Sequence, residues 1–192
     1  MGERLKRKFF KRDSEKVAKE LLGNNLVKKN TGMKGRIVET EAYYGDHDVK
    51  DPASHAFSGK TDRNKVMFGE AGQAYVYICY GIHHMLNITT GEKGKPGAVL
   101  IRAIEPLKGQ NSMEENRGVK GEEKLCNGPG KLCEAFNITK EQNGEDLTEG
   151  NLRIEHGEEV EEIVETTRIG VSQGEDLELR FYEKGSRFVS KN

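Results

Sequence analysis

The sequence predicts a mixed α+β fold in a single domain that spans residues 1–192. Two observations carry this prediction. One helix-forming segment near the N-terminus is followed by several short segments of β-branched and aromatic residues that alternate as strands do. In addition, 192 residues without internal repeats or low-complexity tracts suit one domain with a sizeable core.

The first helix is predicted to run to Leu22. Asp13 or Ser14 can cap its N-terminus, and Gly23 can end it because glycine adopts the left-handed conformation readily. Strands are then predicted from β-branched and aromatic content at 25–28, 35–44, 74–80, 85–90 and 97–104.

The polar segment 45–73 is predicted to be a long loop, and loops of this length in compact domains tend to be functional. Short helices are predicted near 111–117 and 129–136, the second opened by Pro129. The tail predicts strands near 151–155, 166–171 and 177–183, and either a helical turn or an exposed loop at 156–165.

Composition argues against a membrane protein. Charged residues make up 33% of the chain, and no apolar run approaches the roughly 18 residues that a membrane span needs. The N-terminus lacks the apolar core of a signal peptide, so we expect a cytoplasmic protein. The three cysteines form no C-x-x-C pair and are expected to be reduced, partly buried thiols.

Charge is unevenly distributed along the chain. Residues 1–140 carry 25 basic and 18 acidic side chains, whereas residues 141–192 carry 6 and 14. A positive larger part is compatible with a phosphate-bearing partner, although a charge run is more often a solvated surface.

The segment 37–44 reads as a strand that carries two carboxylates. Regular alternation would place Ile37, Glu39, Glu41 and Tyr43 on one side. A rigid strand can hold an acid or base beside an aromatic ring in a cleft. Alternatively, these carboxylates lie on an exposed face and pair with lysines or arginines of the next strand.

Three tyrosines within residues 75–80 offer a second set of functional candidates. Tyr75 and Tyr77 share a face of the predicted strand, and Tyr80 lies on the other unless Gly81 turns the chain. They are either core residues or stacking surfaces for nucleobases. Arg102, inside the apolar segment 98–103, needs a carboxylate partner, which Glu41 or Glu39 can supply.

A loop rich in histidine and aspartate raises the question of a metal site. His47, Asp48, Asp51 and His55 include types that bind divalent ions, which would suit a metal-dependent hydrolase sensitive to chelators. Turn and cap chemistry explains such loops more often, and we predict no metal.

Eight segments then occur in a specific order along the chain: 35–43 (GRIVETEAY), 53–56 (ASHA), 61–64 (TDRN), 67–68 (MF), 75–81 (YVYICYG), Asn87, 100–106 (LIRAIEP) and 127–132 (NGPGKL). Together they resemble the alkyladenine (3-methyladenine) DNA glycosylase family of the mammalian type, over roughly residues 8–190. The resemblance implies a compact α+β domain with a curved antiparallel sheet flanked by helices. It also implies a monomer that flips a damaged nucleotide out of double-stranded DNA.

The resemblance also implies residue roles. Glu41 would activate the attacking water, with Arg102 helping to position it. The extruded base would be enclosed by Tyr43, His55 and Tyr77, with Asn87 at the pocket floor disfavouring the extra amino group of guanine, and Tyr80 would be the intercalating wedge.

The resemblance implies hydrolysis without a cofactor. No lysine lies within the motifs to form a Schiff base, so we expect a monofunctional enzyme that leaves an abasic site. The leading alternative is a non-catalytic nucleic-acid binding module, in which Tyr43, Tyr77 and Tyr80 stack bases and Glu41 forms a structural ion pair with Arg102.

Overall fold

A curled antiparallel sheet organises the part of the chain that the computed structural model describes, residues 2–45 and 50–190. In this part the sheet forms a half-barrel of eight strands. They are β1 (Asn25–Lys28), β2 (Met33–Tyr44), β3 (Ala74–Cys79), β4 (His83–Thr90), β5 (Gly97–Lys108), β6 (Leu152–Glu155), β7 (Ile163–Thr166) and β8 (Arg180–Glu183). The order is β3-β4-β5-β2-β1-β6, with β8 also paired to β2 and β7 to β8.

The helices are short and flank the sheet. They are α1 (Arg7–Phe10), α2 (Ser14–Leu21), α3 (Gln110–Arg117), α4 (Glu122–Leu125) and α5 (Pro129–Ala135). Both the α+β class and the curved antiparallel sheet flanked by helices are therefore confirmed.

Helix α2 shows how the sequence sets local structure. The Asp13 side chain caps it by accepting from the Lys16 backbone N–H at 3.1 Å, and Val17, Ala18 and Leu21 bury one face. Gly23 then takes φ +83°, a left-handed conformation that lets the chain turn into β1. The helix ends at Leu21, one residue earlier than predicted, and Leu22 is its C-cap.

The main core lies between one face of the sheet and the helices. Val99 and Ile101 of β5 contribute to it, whereas the intervening Leu100 and the following Arg102 line a cleft. One face of the sheet therefore stabilises the fold, and the other is free to carry chemistry.

The tail departs from the predicted pattern. The strand predicted at 166–171 is wrong: β7 ends at Thr166, and Ile169, Gly170 and Val171 line the cleft instead. In the preceding segment, 156–162 is an irregular, mostly exposed loop, one of the two predicted alternatives, whereas 163–165 belongs to β7. The strand predicted at 177–183 begins only at Arg180. In this departing segment the side chain of Arg168 forms a buried ion pair with Asp51.

Within residues 2–45 and 50–190 we find no helix with the length and apolar character to cross a bilayer. The three cysteines are free thiols, as predicted, with Cys126 and Cys133 buried and Cys79 partly so. Burial raises the pKa of Cys126 and of Cys133 to about 12, so both stay protonated.

Candidate active site

The cleft face of the sheet aligns side chains from several strands. Directly opposed residues across neighbouring strands share a face. Tyr75 of β3 is paired with Asn87 of β4, Asn87 with Leu100 of β5, Leu100 with Glu41 of β2, and Glu41 with Arg180 of β8. Segments distant in sequence thereby place an aromatic ring, an amide and a carboxylate in one transverse row.

Arg102 lies at a break in the β2 and β5 ladder. Thr40 pairs with Ile101 and Glu39 with Ala103, so Arg102 is the extra residue of a bulge, a feature common beside active sites. Its Nε donates to Glu39 Oε1 at 3.2 Å, and its Nη1 lies 3.2 Å from Glu41 Oε1. Arg102 therefore contacts both carboxylates that the sequence offered as its partner, Glu39 and Glu41.

A second irregularity overturns the predicted grouping of side chains on β2. The register also shifts between Ile37 and Glu39. Ile37 consequently belongs to the main core, whereas Val38 packs with Ala103 and Phe188. Glu39, Glu41 and Tyr43 do not share a face with Ile37, because the bulge interrupts the regular alternation.

Glu39 is enclosed by donors. Its Oε1 also accepts from Arg180 Nε at 2.7 Å and from the Ser190 hydroxyl at 2.8 Å, and its Oε2 accepts from the Ser190 backbone N–H at 2.7 Å. The residue is fully buried. Its arrangement with Arg102 and Arg180 is that of a structural ion pair.

Glu41 is equally buried, but its partners belong to the cleft wall. Its Oε2 accepts from the Tyr43 hydroxyl at 2.8 Å and its Oε1 from the Ile169 backbone N–H at 2.8 Å. Burial, followed by the charge of Glu41, raises the pKa of Tyr43 well above 10, so Tyr43 remains a donor. The carboxylate lies behind Tyr43, Ile169 and Arg102, which line the cleft, while Glu41 itself does not.

The cleft has a volume of about 620 Å³, within the range of small-molecule sites. It brings together six of the seven predicted site residues, all except Glu41: Tyr43, His55, Tyr77, Tyr80, Asn87 and Arg102. Asn87 is buried and donates through Nδ2 to the Tyr75 carbonyl at 3.2 Å, which fixes its position.

Aromatic rings form one side of the cleft. The ring centroids of His55 and Tyr77 are 4.6 Å apart in an edge-on arrangement, and those of Tyr75 and Tyr77 are 5.5 Å apart. The His55 Nδ1 lies 2.9 Å from the Tyr75 hydroxyl, and the Arg63 guanidinium lies 5.2 Å from the Tyr77 centroid. Burial, aided by the charge of Arg63, lowers the pKa of His55 below 6.5, so its imidazole is neutral near pH 7.

Tyr80 occupies the tip of the β3–β4 hairpin. It is 87% exposed, so the alternative that it is a core residue is wrong, whereas Tyr75, 1% exposed, does belong to the core. Tyr80 has φ +51° and Gly81 φ +75°, and the Ile82 N–H donates to the Cys79 carbonyl at 3.2 Å. Positive φ at both central residues matches the type I′ turns that suit hairpins, and it aims the tyrosine ring outward.

The histidine and aspartate loop is held by other contacts. Asp51 pairs with Arg168 and accepts from the Tyr44 and Ala53 backbone N–H groups. His55 is turned to Tyr75 instead. His47 and Asp48 lie outside the described residues, and the described ranges contain no group of three or more metal-binding side chains.

Comparison with other proteins identifies the family to which the chain belongs. The profile described as methylpurine-DNA glycosylase (MPG) matches residues 8–187. The chain belongs to this family. A protein of Carboxydothermus hydrogenoformans named "Putative 3-methyladenine DNA glycosylase" is 50% identical over 192 residues, covering 97% of this chain and 98% of its own. Proteins with the same name from Methanoculleus marisnigri and Rhodopseudomonas palustris are 47% and 45% identical over 95% and 100% of this chain, and over 96% and 92% of their own.

Several residues of this DNA glycosylase escaped the sequence analysis. Asn64 is buried and donates to the carbonyls of His55 at 2.8 Å and Gly59 at 2.9 Å, so it holds the cleft loop together. Ile169 supplies a backbone donor, which no side-chain pattern reveals. Arg168 lies inside the strand predicted at 166–171, and nothing in that segment points to Asp51 as its partner.

Proposed function

We propose that this glycosylase removes alkylated or otherwise damaged purines from duplex DNA by hydrolysing the N-glycosidic bond. The observation that carries the proposal is a fully buried carboxylate, Glu41, held by Arg102 and Tyr43 directly behind an aromatic cleft. The relatives named above carry 3-methyladenine in their names, which supports an alkylated purine as the substrate.

Base flipping brings the damaged nucleotide into the cleft. Extrusion costs a few kcal/mol, and the cost is smallest for a damaged base. The rings of Tyr43, His55 and Tyr77, which line the cleft, enclose the extruded purine, with Asn87 at the floor. Tyr80, exposed at the hairpin tip, fills the space that the base leaves in the duplex. One copy of the chain suffices for these steps, which we place in the cytoplasm.

The chemical step uses water as the nucleophile. Its oxygen attacks the C1′ carbon of the sugar while the bond from C1′ to the base nitrogen breaks and its electrons leave with the base. Glu41 accepts the proton of the water and stabilises the positive charge that develops on the sugar. Water reaches Glu41 through a small displacement of Tyr43 or Ile169, whose donors already point at the carboxylate.

The reaction ends at an abasic site. Schiff-base formation and strand cleavage need an amine, and the described lining of the cleft includes no lysine. The residues named above supply the base, the donors and the stacking surfaces, so the proposed reaction uses no cofactor or metal.

The proposal is tested by incubating the protein with methylated duplex DNA and measuring released bases by chromatography. Glu41→Gln preserves shape and loses basicity, so base release should fall by about 10²–10⁴-fold while duplex binding persists. Glu149→Gln removes an exposed carboxylate and is the matched control. Excision should continue in EDTA. Turnover by Glu41→Gln near that of the wild type would refute the assignment.

A further inference from the structure

The edge of β2 loses its neighbouring strand just where the active site begins. On β2, strand β8 pairs only with Glu39, Thr40 and Glu41, and the last backbone bond beyond it runs from the Ala42 N–H to the Leu179 carbonyl at 2.8 Å. The carbonyl of Ala42 and the N–H of Tyr44 point toward the same edge, because backbone groups alternate along a strand. Both flank Tyr43 and both need partners.

Two side chains take the place of the missing strand. Arg168 Nη1 donates to the Ala42 carbonyl at 3.1 Å, and Asp51 Oδ2 accepts from the Tyr44 N–H at 3.0 Å. Arg168 and Asp51 also pair with each other through two bonds of 2.8 and 2.7 Å, and both side chains are fully buried. The result is a short ladder of side-chain bonds that continues the sheet edge past Tyr43.

The same arginine reaches the groups that contact Glu41. Its guanidinium carbon lies 4.6 Å from the centroid of the Tyr43 ring, and the Tyr43 hydroxyl donates to Glu41 Oε2. The next residue, Ile169, donates its N–H to Glu41 Oε1. A shift of Arg168 therefore moves two of the donors that hold the carboxylate.

We propose that Arg168 and Asp51 are positioning residues that align Tyr43 and the Ile169 amide on Glu41, and so set the rate of base excision rather than the affinity for DNA. This inference rests on the proposed function. A buried ion pair by itself is weak evidence of stabilisation, since desolvation offsets the attraction. A pair that also replaces two backbone bonds beside a reacting carboxylate has a more specific role.

The test compares Arg168→Lys with a matched control. Lysine keeps the charge but cannot form the two-pronged pairing. Arg153 forms an equally buried pair with Glu155 on β6, through bonds of 2.9 and 2.6 Å, and does not line the cleft. Displacing catalytic groups by about 1 Å can cost about 10²-fold in rate, so Arg168→Lys should slow single-turnover excision by about 10–100-fold. The dissociation constant for lesion DNA should stay within about threefold.

Arg153→Lys should lower the melting temperature comparably and leave the single-turnover rate within about twofold of wild type. Equal rate losses in the two variants, or a loss in Arg168→Lys that lies in affinity alone, would overturn the positioning role. If Arg168→Lys fails to fold, Asp51→Asn removes the same pairing from the other side and carries the same expectations.

Amide hydrogen exchange gives a readout that does not depend on turnover. The Tyr44 and Ile169 amides should exchange faster in Arg168→Lys than in Arg153→Lys, because only the first variant loosens their partners. Unchanged exchange at both amides would refute the ladder. Failure of the wild type to release any base would refute the proposed function instead, while the exchange data would still decide whether the ladder exists.

Discussion

The two carboxylates of β2, Glu39 and Glu41, differ in the groups that cover them. Glu39 and Glu41 are both fully buried and share Arg102. Around Glu39 the sheet is closed by Arg180 of β8 and by Ser190, which donate hydrogen bonds to the Glu39 carboxylate oxygens. Around Glu41 the covering groups belong to the cleft wall. Burial therefore does not distinguish a structural carboxylate from a candidate catalytic one; the location of its donors does.

The largest effect on stability is expected for substitution of Glu39. Glu39→Gln removes a buried carboxylate that pairs with two arginines, Arg102 and Arg180, and breaking a buried pair costs about 3–5 kcal/mol. Glu41→Gln should cost less, because Glu41 pairs with Arg102 and Arg102 keeps Glu39. Chemical unfolding of both variants measures the difference.

Activity should reverse this ranking. Well below its melting temperature, Glu39→Gln should retain much more excision activity than Glu41→Gln. A stable but inactive Glu39→Gln protein would erase the distinction between the two carboxylates.

An intermediate effect is expected at the hairpin tip, where exposure contrasts with both buried carboxylates. Removing the ring in Tyr80→Ala should weaken binding to lesion DNA by about 1–3 kcal/mol, the value of one stacking contact. Loss of activity should be greater for a well-paired lesion than for a mismatched one. The melting temperature should hardly change, because the side chain is 87% exposed.

Tyr80→Phe keeps the ring and serves as the control, with activity expected near that of the wild type. A fall in melting temperature together with equal loss on both lesions would argue against the wedge.

The smallest effect concerns the pH dependence of stability that arises from His55 in the cleft. The pKa of His55 is lowered by burial and by Arg63, so the unfolded chain takes up its proton at a higher pH than the folded protein does. The contribution of neutral His55 to stability is therefore complete above pH 6.5 and declines as the pH falls through 6.5 toward the folded pKa. Urea unfolding at about pH 7.5 and 5.5 should show a smaller decline in His55→Gln than in wild type. Identical declines would show that His55 titrates alike in both states.

The strands were predictable where alternation and β-branched residues agree, as in 25–28 and 74–79. The need of Arg102 for a carboxylate was also readable, because a charge inside an apolar strand cannot remain unpaired. The bulge that sends Ile37 into the core was not readable, since bulges depend on the partner strand. The pairing of Asp51 with Arg168 spans 117 positions, and no local pattern announces such a contact.

The β3–β4 hairpin has a mechanical consequence. Tyr80 at its tip and Tyr77 in the cleft wall are three residues apart on one segment, a span of about 10 Å at the rise of a strand. In the proposed reaction the side chain that enters the DNA helix and the wall of the cleft that receives the nucleotide thus lie at a fixed separation on one hairpin. Insertion of Tyr80 and entry of the base into the cleft therefore occur in one movement of the protein. Inserting or deleting one residue between Tyr77 and Tyr80 would change this separation and misalign the two.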